Sequence, residues 1–353
     1  MKQNKFTKVV LSLPFLVSVS LVIPIGLSLI SYAISPNNRF DNDNFMGHNI
    51  DGDPHTFKME KIERLFKIEN HSTWSNYQGG AFYNQYYCLA ANNFENLLIY
   101  DMSKYKMDNV ILDCELNNSY HCNTISFGTT FYSRKDKYPL LYISMENSDV
   151  HCTNVYRLVK KSSQYHAEKV QVIVFPTAKE CGVYLPNSYI DHNNCIEQEG
   201  LTLHQPYLYY SGYTTPKSPH YQKADDNKLR FFRFLLPKAP SETDTEYEET
   251  IYLKDQVISQ TQKGLYHDVP SETATQGGFI SNGYLYQTFA FHDNPIMRIL
   301  DLRDYSLIYN EEIGKYGVFD EYENIATYNN RIFAFGIKKL SIFEFKFDIK
   351  QND

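Results

Sequence analysis

The strongest constraint on the fold is a phrase that the chain writes more than once. YQGGAFYNQYYCLAANNFENLLIYD runs from Tyr77 to Asp101, and TQGGFISNGYLYQTFAFHDNPIMRILD from Thr275 to Asp301. Each reads as a polar head, a strand, a hairpin turn (Asn84-Gln85 or Asn282-Gly283), an aromatic-aliphatic strand, and a third strand ending in Asp. Three more segments follow the same plan. Glu199–Leu203 leads through His204-Gln205-Pro206 into Tyr207–Tyr210, and Glu323–Tyr328 leads through Asn329-Asn330 into Arg331–Phe335. Asn123–Phe127 reaches Leu140–Ile143 through a longer loop. Third strands are legible at Leu97–Asp101, Asn154–Leu158, Leu229–Phe234, Met297–Asp301 and Leu340–Phe345. Fourth strands follow at Asn109–Leu112, Val170–Val174, Glu249–Leu253 and Ser306–Tyr309. The last unit runs out of chain, and Phe57–Ile68 at the other end supplies its missing strand.

Five four-stranded units, one completed by the N-terminal segment, predict an all-β fold: a five-bladed β-propeller over residues 57–349. Ring closure by the N-terminal strand removes the edge that an open stack would expose. A six-bladed ring is the alternative, because two intervals between heads are long. Their surplus, near Thr177–Asn194, Tyr213–Asn227 and Gln256–Ala274, is too short in each place for another blade. A β-sandwich does not predict the same head on every unit. Composition agrees with strands: 30 Tyr and 23 Phe stand against one Trp. The net charge of -7, without a basic run, excludes nucleic acid as a partner.

Residues 1–35 read as a targeting segment. Lys2, Lys5 and Lys8 precede an uncharged run from Val9 to Ile30, long enough to span a bilayer as a helix. Ser31-Tyr32-Ala33 offers a signal-peptidase site, so the segment is either a cleaved signal peptide or a membrane anchor through residues 9–30. Either way the lysines stay inside and the rest of the chain faces outward, in the periplasm, at the cell surface or secreted. Residues 36–56, rich in Asn, Asp and Gly, read as a polar linker. Six cysteines in an exported chain permit disulfides, with Cys114–Cys122 and Cys181–Cys195 the local pairs, whereas Cys88 sits in an apolar strand pattern as a buried thiol.

In a propeller the first strand of each blade lies nearest the axis, so residues at its start crowd the channel mouth. Those residues are Gln78, His121, Asn123, Glu199, Gln276, Glu321 and Glu323, the expected ligand-binding set. Gly79-Gly80 and Gly277-Gly278 suit a place where backbones converge. Paired carboxylates for glycoside hydrolysis are available from Glu199 and Glu323, with Asp191 as a third. A metal site could draw on His121, Glu199, Asp191 and His192, though no His-x-His or HExxH spacing occurs; calcium, which needs only oxygen ligands, is the easier cofactor.

HCNTISFG (His121–Gly128), YPLLYIS (Tyr138–Ser144), VYRL (Val155–Leu158), the QGG heads and the Glu321-x-Glu323 pair together resemble a group of uncharacterised exported bacterial β-propeller proteins. The chain is also loosely similar to the propeller of teichoic acid biosynthesis protein C and to lactonase-like and strictosidine-synthase-like propellers. The resemblance spans about Tyr77 to Phe347 and implies a propeller without assigning catalysis. Lactonase-type propellers set acidic metal ligands blade by blade, where this chain has amides at two heads. The expectation is an exported or membrane-anchored binding module for a carbohydrate or a cell-surface protein. A glycan-acting hydrolase is the alternative.

Overall fold

The computed structural model describes residues 55–68, 77–91, 97–104, 106–112, 121–146, 151–175, 189–196, 207–215, 229–244, 249–253, 257–261, 274–281, 284–290, 294–301, 306–328 and 331–351. The targeting segment lies outside these residues, as does the linker up to residue 54. Among the described residues no helix is long and apolar enough to cross a membrane.

Strand β1 (His55–Lys67) comes first. It is followed by an antiparallel meander of β2 (Tyr77–Tyr83), β3 (Tyr86–Ala91), β4 (Leu97–Asp101) and β5 (Lys106–Leu112). A second meander runs through β6 (His121–Phe127), β7 (Leu141–Glu146), β8 (His151–Lys161) and β9 (Gln164–Val174). Next come β10 (Tyr189–Ile196), β11 (Tyr207–Thr215), β12 (Leu229–Leu235), the short β13 (Thr250–Tyr252) and β14 (Val257–Thr261). The chain continues with β15 (Ala274–Ser281), β16 (Tyr284–Ala290), β17 (Ile296–Asp301) and β18 (Leu307–Glu312). It ends with β19 (Tyr322–Tyr328), β20 (Arg331–Gly336) and β21 (Ser341–Gln351). Three four-stranded sheets have the orders β10-β11-β12-β14, β15-β16-β17-β18 and β1-β21-β20-β19. The first two meanders join into a nine-stranded sheet, because β5 and β9 pair in parallel and β13 adds in parallel to the far half of β9.

The first strands of the units pack in a cycle. β2 touches β6, β6 touches β10, β10 touches β15, β15 touches β19, and β19 returns to β2. A closed cycle of inner strands, each leading an outward meander, is the β-propeller architecture. The ring is latched by β1, which pairs with β21 along its whole length. Phe57 on β1 packs edge-on against Tyr284 and Tyr286 of the preceding sheet, at 5.0 and 6.1 Å. Phe66, near the other end of β1, stacks at 4.9 Å on Tyr100 of β4. The N-terminal strand thus completes one sheet and also buttresses both neighbours.

The structure corrects three expectations. The third unit leads with β10 at Tyr189–Ile196, which begins in the stretch Thr177–Asn194 read from sequence as surplus loop, and not with Glu199–Leu203. Its outer strand is β14, whereas Thr250–Tyr252 leaves the unit to pair with β9. Asn, Asp and His in YIDHNNCI hide this strand from propensity, which tertiary pairing overrides. Finally, Cys122 is a free buried thiol, as are Cys88 and Cys152, so the Cys114–Cys122 pair does not form. Burial pushes the Cys122 thiol up to about 12. Cys114, Cys181 and the Cys195 side chain lie outside the described residues.

Candidate functional site

Among the described residues, the inner strands β2, β6, β15 and β19 each carry a β-bulge at the head, and each bulge falls on a residue that the sequence marks as a site candidate. The β2/β3 register skips at Gln78, between Tyr77 and Gly79. The β6/β7 register skips Asn123 and Thr124, the β15/β16 register skips Gln276 and Gly277, and the β19/β20 register skips Glu323. A bulge leaves its extra residue unpaired, bends the strand and re-aims the side chain. The freed N–H of Gly277 is caught by the Thr288 hydroxyl at 3.1 Å. The β10/β11 pairing has no such skip.

The two QGG heads lie on the two neighbours of one strand, β19. A Cβ on Gly277 would collide with the backbone of Asn324 and Ile325. A Cβ on Gly80 would sit 2.6 Å from the Asn324 side chain and 2.5 Å from the Tyr87 hydroxyl. Glycine is therefore required for close approach, not for a special φ. Asn324, fully enclosed between β2 and β15, accepts a hydrogen bond from the Tyr87 hydroxyl through Oδ1. Sequence reading did not single out this residue. The signal lay in the glycines, which mark a backbone or side chain approaching from elsewhere.

Around this junction the polar groups divide into satisfied and unsatisfied. Gln276 Nε2 donates to Glu321 Oε1 at 3.1 Å, bringing two of the expected residues together across β15 and the approach to β19. Asp320 is buried; its Oδ1 accepts from the backbone N–H of Glu321 at 2.9 Å and of Lys338 at 2.8 Å, which fixes the entry to β19. In contrast, the other Asp320 oxygen (Oδ2), the Tyr322 hydroxyl, Gln78 Oε1, Glu323 Oε2 and Asn324 Nδ2 are buried without a hydrogen-bond partner among the described residues. Gln78 is 8% exposed and Glu323 2%. Burial, reinforced by the carboxylates of Glu321 and Asp320, holds the Glu323 carboxyl well above its usual range and so favours its protonated form. The result is a set of buried polar atoms without partners on the adjacent inner strands β2 and β19.

His121 and Asn123 take their backbone places on β6, and Asp191 and His192 on β10, while their side chains lie outside the described residues. Glu199 follows β10 in the chain instead of preceding an inner strand, and it too lies outside the described residues. Among the described residues no three His, Cys, Asp or Glu side chains gather as a metal site.

No protein-family model matches the chain, and no curated protein matches its sequence. Among solved structures it is similar to the PQQ-bound aldose sugar dehydrogenase of Streptomyces coelicolor, at 10% identity and a TM-score of 0.43, over 85% of this chain and 100% of that one. It is also similar to the glutaminyl cyclase of Myxococcus xanthus, at 11% identity and a TM-score of 0.42, over 85% and 100% of the two chains. The calcium-binding protein regucalcin of Agrobacterium tumefaciens aligns at 12% identity and a TM-score of 0.35, over 77% and 76%. Likeness this distant transfers no chemistry, and the β-propeller fold stands on the closed cycle of the chain's own inner strands.

Proposed function

We propose that the chain is a five-bladed β-propeller, exported or held at a membrane by residues 9–30, that binds a carbohydrate at the heads of its inner strands. The count of five divides the nine-stranded sheet at the parallel β5/β9 seam, which gives one blade to each inner strand. The observation that carries the binding reading is the recurrent bulge, with Gln78 and Glu323 buried at two of its occurrences and an oxygen unpartnered on each. A buried polar atom without a partner costs about 1–3 kcal/mol, which a ligand hydrogen bond would recover. Burial favours the protonated form of Glu323, in which the carboxyl donates, while the Gln78 carbonyl accepts and carries no charge. That favours an uncharged polyhydroxylated ligand over an ion.

A second reading draws on the same carboxyl. A protonated Glu is what a glycosidase uses as general acid, and hydrolysis needs a second carboxylate about 5–10 Å away. Glu321 and Asp320, whose charges both act on Glu323, are the described candidates. One experiment separates the readings: a glycan array on the full chain, with and without calcium, followed by calorimetry on Gln78→Leu and Glu323→Gln and by turnover of chromogenic glycosides. The binding reading expects a glycan hit weakened at least tenfold by Gln78→Leu, retained in Glu323→Gln, and no turnover. Turnover by the parent that Glu323→Gln abolishes establishes the hydrolase instead. An array blank under both conditions rejects carbohydrate binding.

A further inference from the structure

At the opposite end of the strands, away from the heads, three tyrosines from two meanders converge. Tyr86 opens β3 beside the β2–β3 turn, Tyr165 lies just after the β8–β9 turn, and Tyr138 comes from the β6–β7 connection. The rings of Tyr86 and Tyr138 meet at 5.4 Å and 86°, and those of Tyr138 and Tyr165 at 5.3 Å and 68°. Successive near-perpendicular rings make the walls of a box; Lys137 faces all three rings, and Lys160 Nζ lies 5.8 Å from the Tyr165 ring alone. Lys137 Nζ is 3.6 Å from the Tyr86 ring centre, 5.0 Å from Tyr138 and 5.9 Å from Tyr165. Among the described residues this ammonium has rings and no carboxylate for partners.

We propose that Tyr86, Tyr138 and Tyr165 form a second binding site, for a quaternary ammonium group, in which Lys137 is a resident plug. Faces of aromatic rings attract cations through their quadrupole, and a set of such faces selects alkylated ammonium. A lysine ammonium is compact and strongly hydrated, so it gives up hydration to sit there. A quaternary ammonium has no N–H to leave unsolvated and fills the box with methyl groups. Lys137 is exposed and can swing out without unmaking the site, because its loop is fixed by other groups. Asp136 is clasped by Arg157 through two 2.8 Å hydrogen bonds, and Leu140 N–H donates to Thr130 O at 2.8 Å. Tyr138 itself is anchored in the core.

The test is choline titrated into the full chain by calorimetry, beside 3,3-dimethylbutanol, its neutral isostere. Lys137→Ala is expected to bind choline roughly 3- to 10-fold more tightly than the parent, and choline is expected to beat the isostere roughly tenfold. Adding Tyr86→Leu to Lys137→Ala is expected to remove binding, with circular dichroism unchanged; Lys137→Gln replaces the alanine variant if that one melts early. A folded Lys137→Ala protein that takes up no choline, or that holds choline and the isostere equally, overturns the proposal. The head-ring reading is untouched by either result, since the two sets of residues lie at opposite ends of the strands.

Discussion

Gly277 and Gly80 look alike in sequence, yet they face different obstacles. A methyl at Gly277 would meet main chain, Asn324 and Ile325, which can yield only if β15 and β19 separate. A methyl at Gly80 would meet an Asn side chain and a Tyr hydroxyl, which can turn away at the cost of the hydrogen bond between them. Gly277→Ala is therefore expected to cost about 3 kcal/mol or more, at the top of the range for overpacking. Gly80→Ala should cost about 1–3 kcal/mol, the loss of one buried hydrogen bond; urea midpoints of the two variants decide the order. Glu323 makes a separate prediction. Its folded pKa lies above the ordinary 4.5, so the folded state keeps a proton that the unfolded chain releases above that pH. Its contribution is complete below about pH 4.5 and declines as pH rises. Glu323→Gln, which cannot ionise, should melt higher than the parent at pH 7 and show no such advantage at pH 4. An advantage larger at pH 4 would contradict the assignment.

Among the elements, β1 carries more of the architecture than its sequence suggests. FKMEKIERLFKI alternates imperfectly, because the β1/β21 ladder shifts twice, between Met59 and Lys61 and between Arg64 and Phe66. Its inward residues Phe57, Met59 and Ile62 join the main core, and each contributes about 1.5–3 kcal/mol of burial. Its outward residues join a charge ladder: Glu63 to Lys61 and Lys346 at 3.0 and 2.8 Å, and Glu344 to Arg331 at 2.7 Å. The cations hold the half-buried Glu63 carboxyl down to about 2, but solvent reaches the lysine partners, screens such pairs, and they add little. The latch is therefore hydrophobic. Phe57→Ala is expected to destabilise by about 3–5 kcal/mol, as for a buried aromatic, while Lys61→Ala stays within about 0.5 kcal/mol. Thermal melts that ranked the two in the other order would make the latch electrostatic.

For the whole molecule, the ring is locked in two ways. β1 closes it by joining the last sheet from the N-terminus, and β9 zips two meanders and a piece of the third into one sheet. The parallel seams at β5/β9 and β9/β13 are unusual for neighbouring blades, whose outer strands diverge. Here β9 and β8 are eleven residues each, long enough to reach beyond the inner strands and find new partners. Asn324 acts at the opposite radius, where two glycine-headed strands close on it. The molecule is thus pinned both at its axis and at its rim.

The repeated phrase determined most of this architecture by itself. Polar head, hairpin and aromatic strand recur because each unit must bury the same faces, so β2–β4, β15–β17 and β19–β21 were legible from Gln78, Gln276 and Glu323 onward. Completion of the last sheet by Phe57–Ile68 followed from a missing fourth strand. What only the tertiary structure decided is where local pattern and pairing disagree. YIDHNNCI forms a strand because β11 supplies its partner, and Thr250–Tyr252 leaves its own unit because β9 offers an open edge. The bulges, the raised pKa of Glu323 and the fit of Asn324 between two glycines are likewise beyond any one-dimensional reading. Each depends on which backbone or charge arrives from another blade, and sequence does not encode that distance locally.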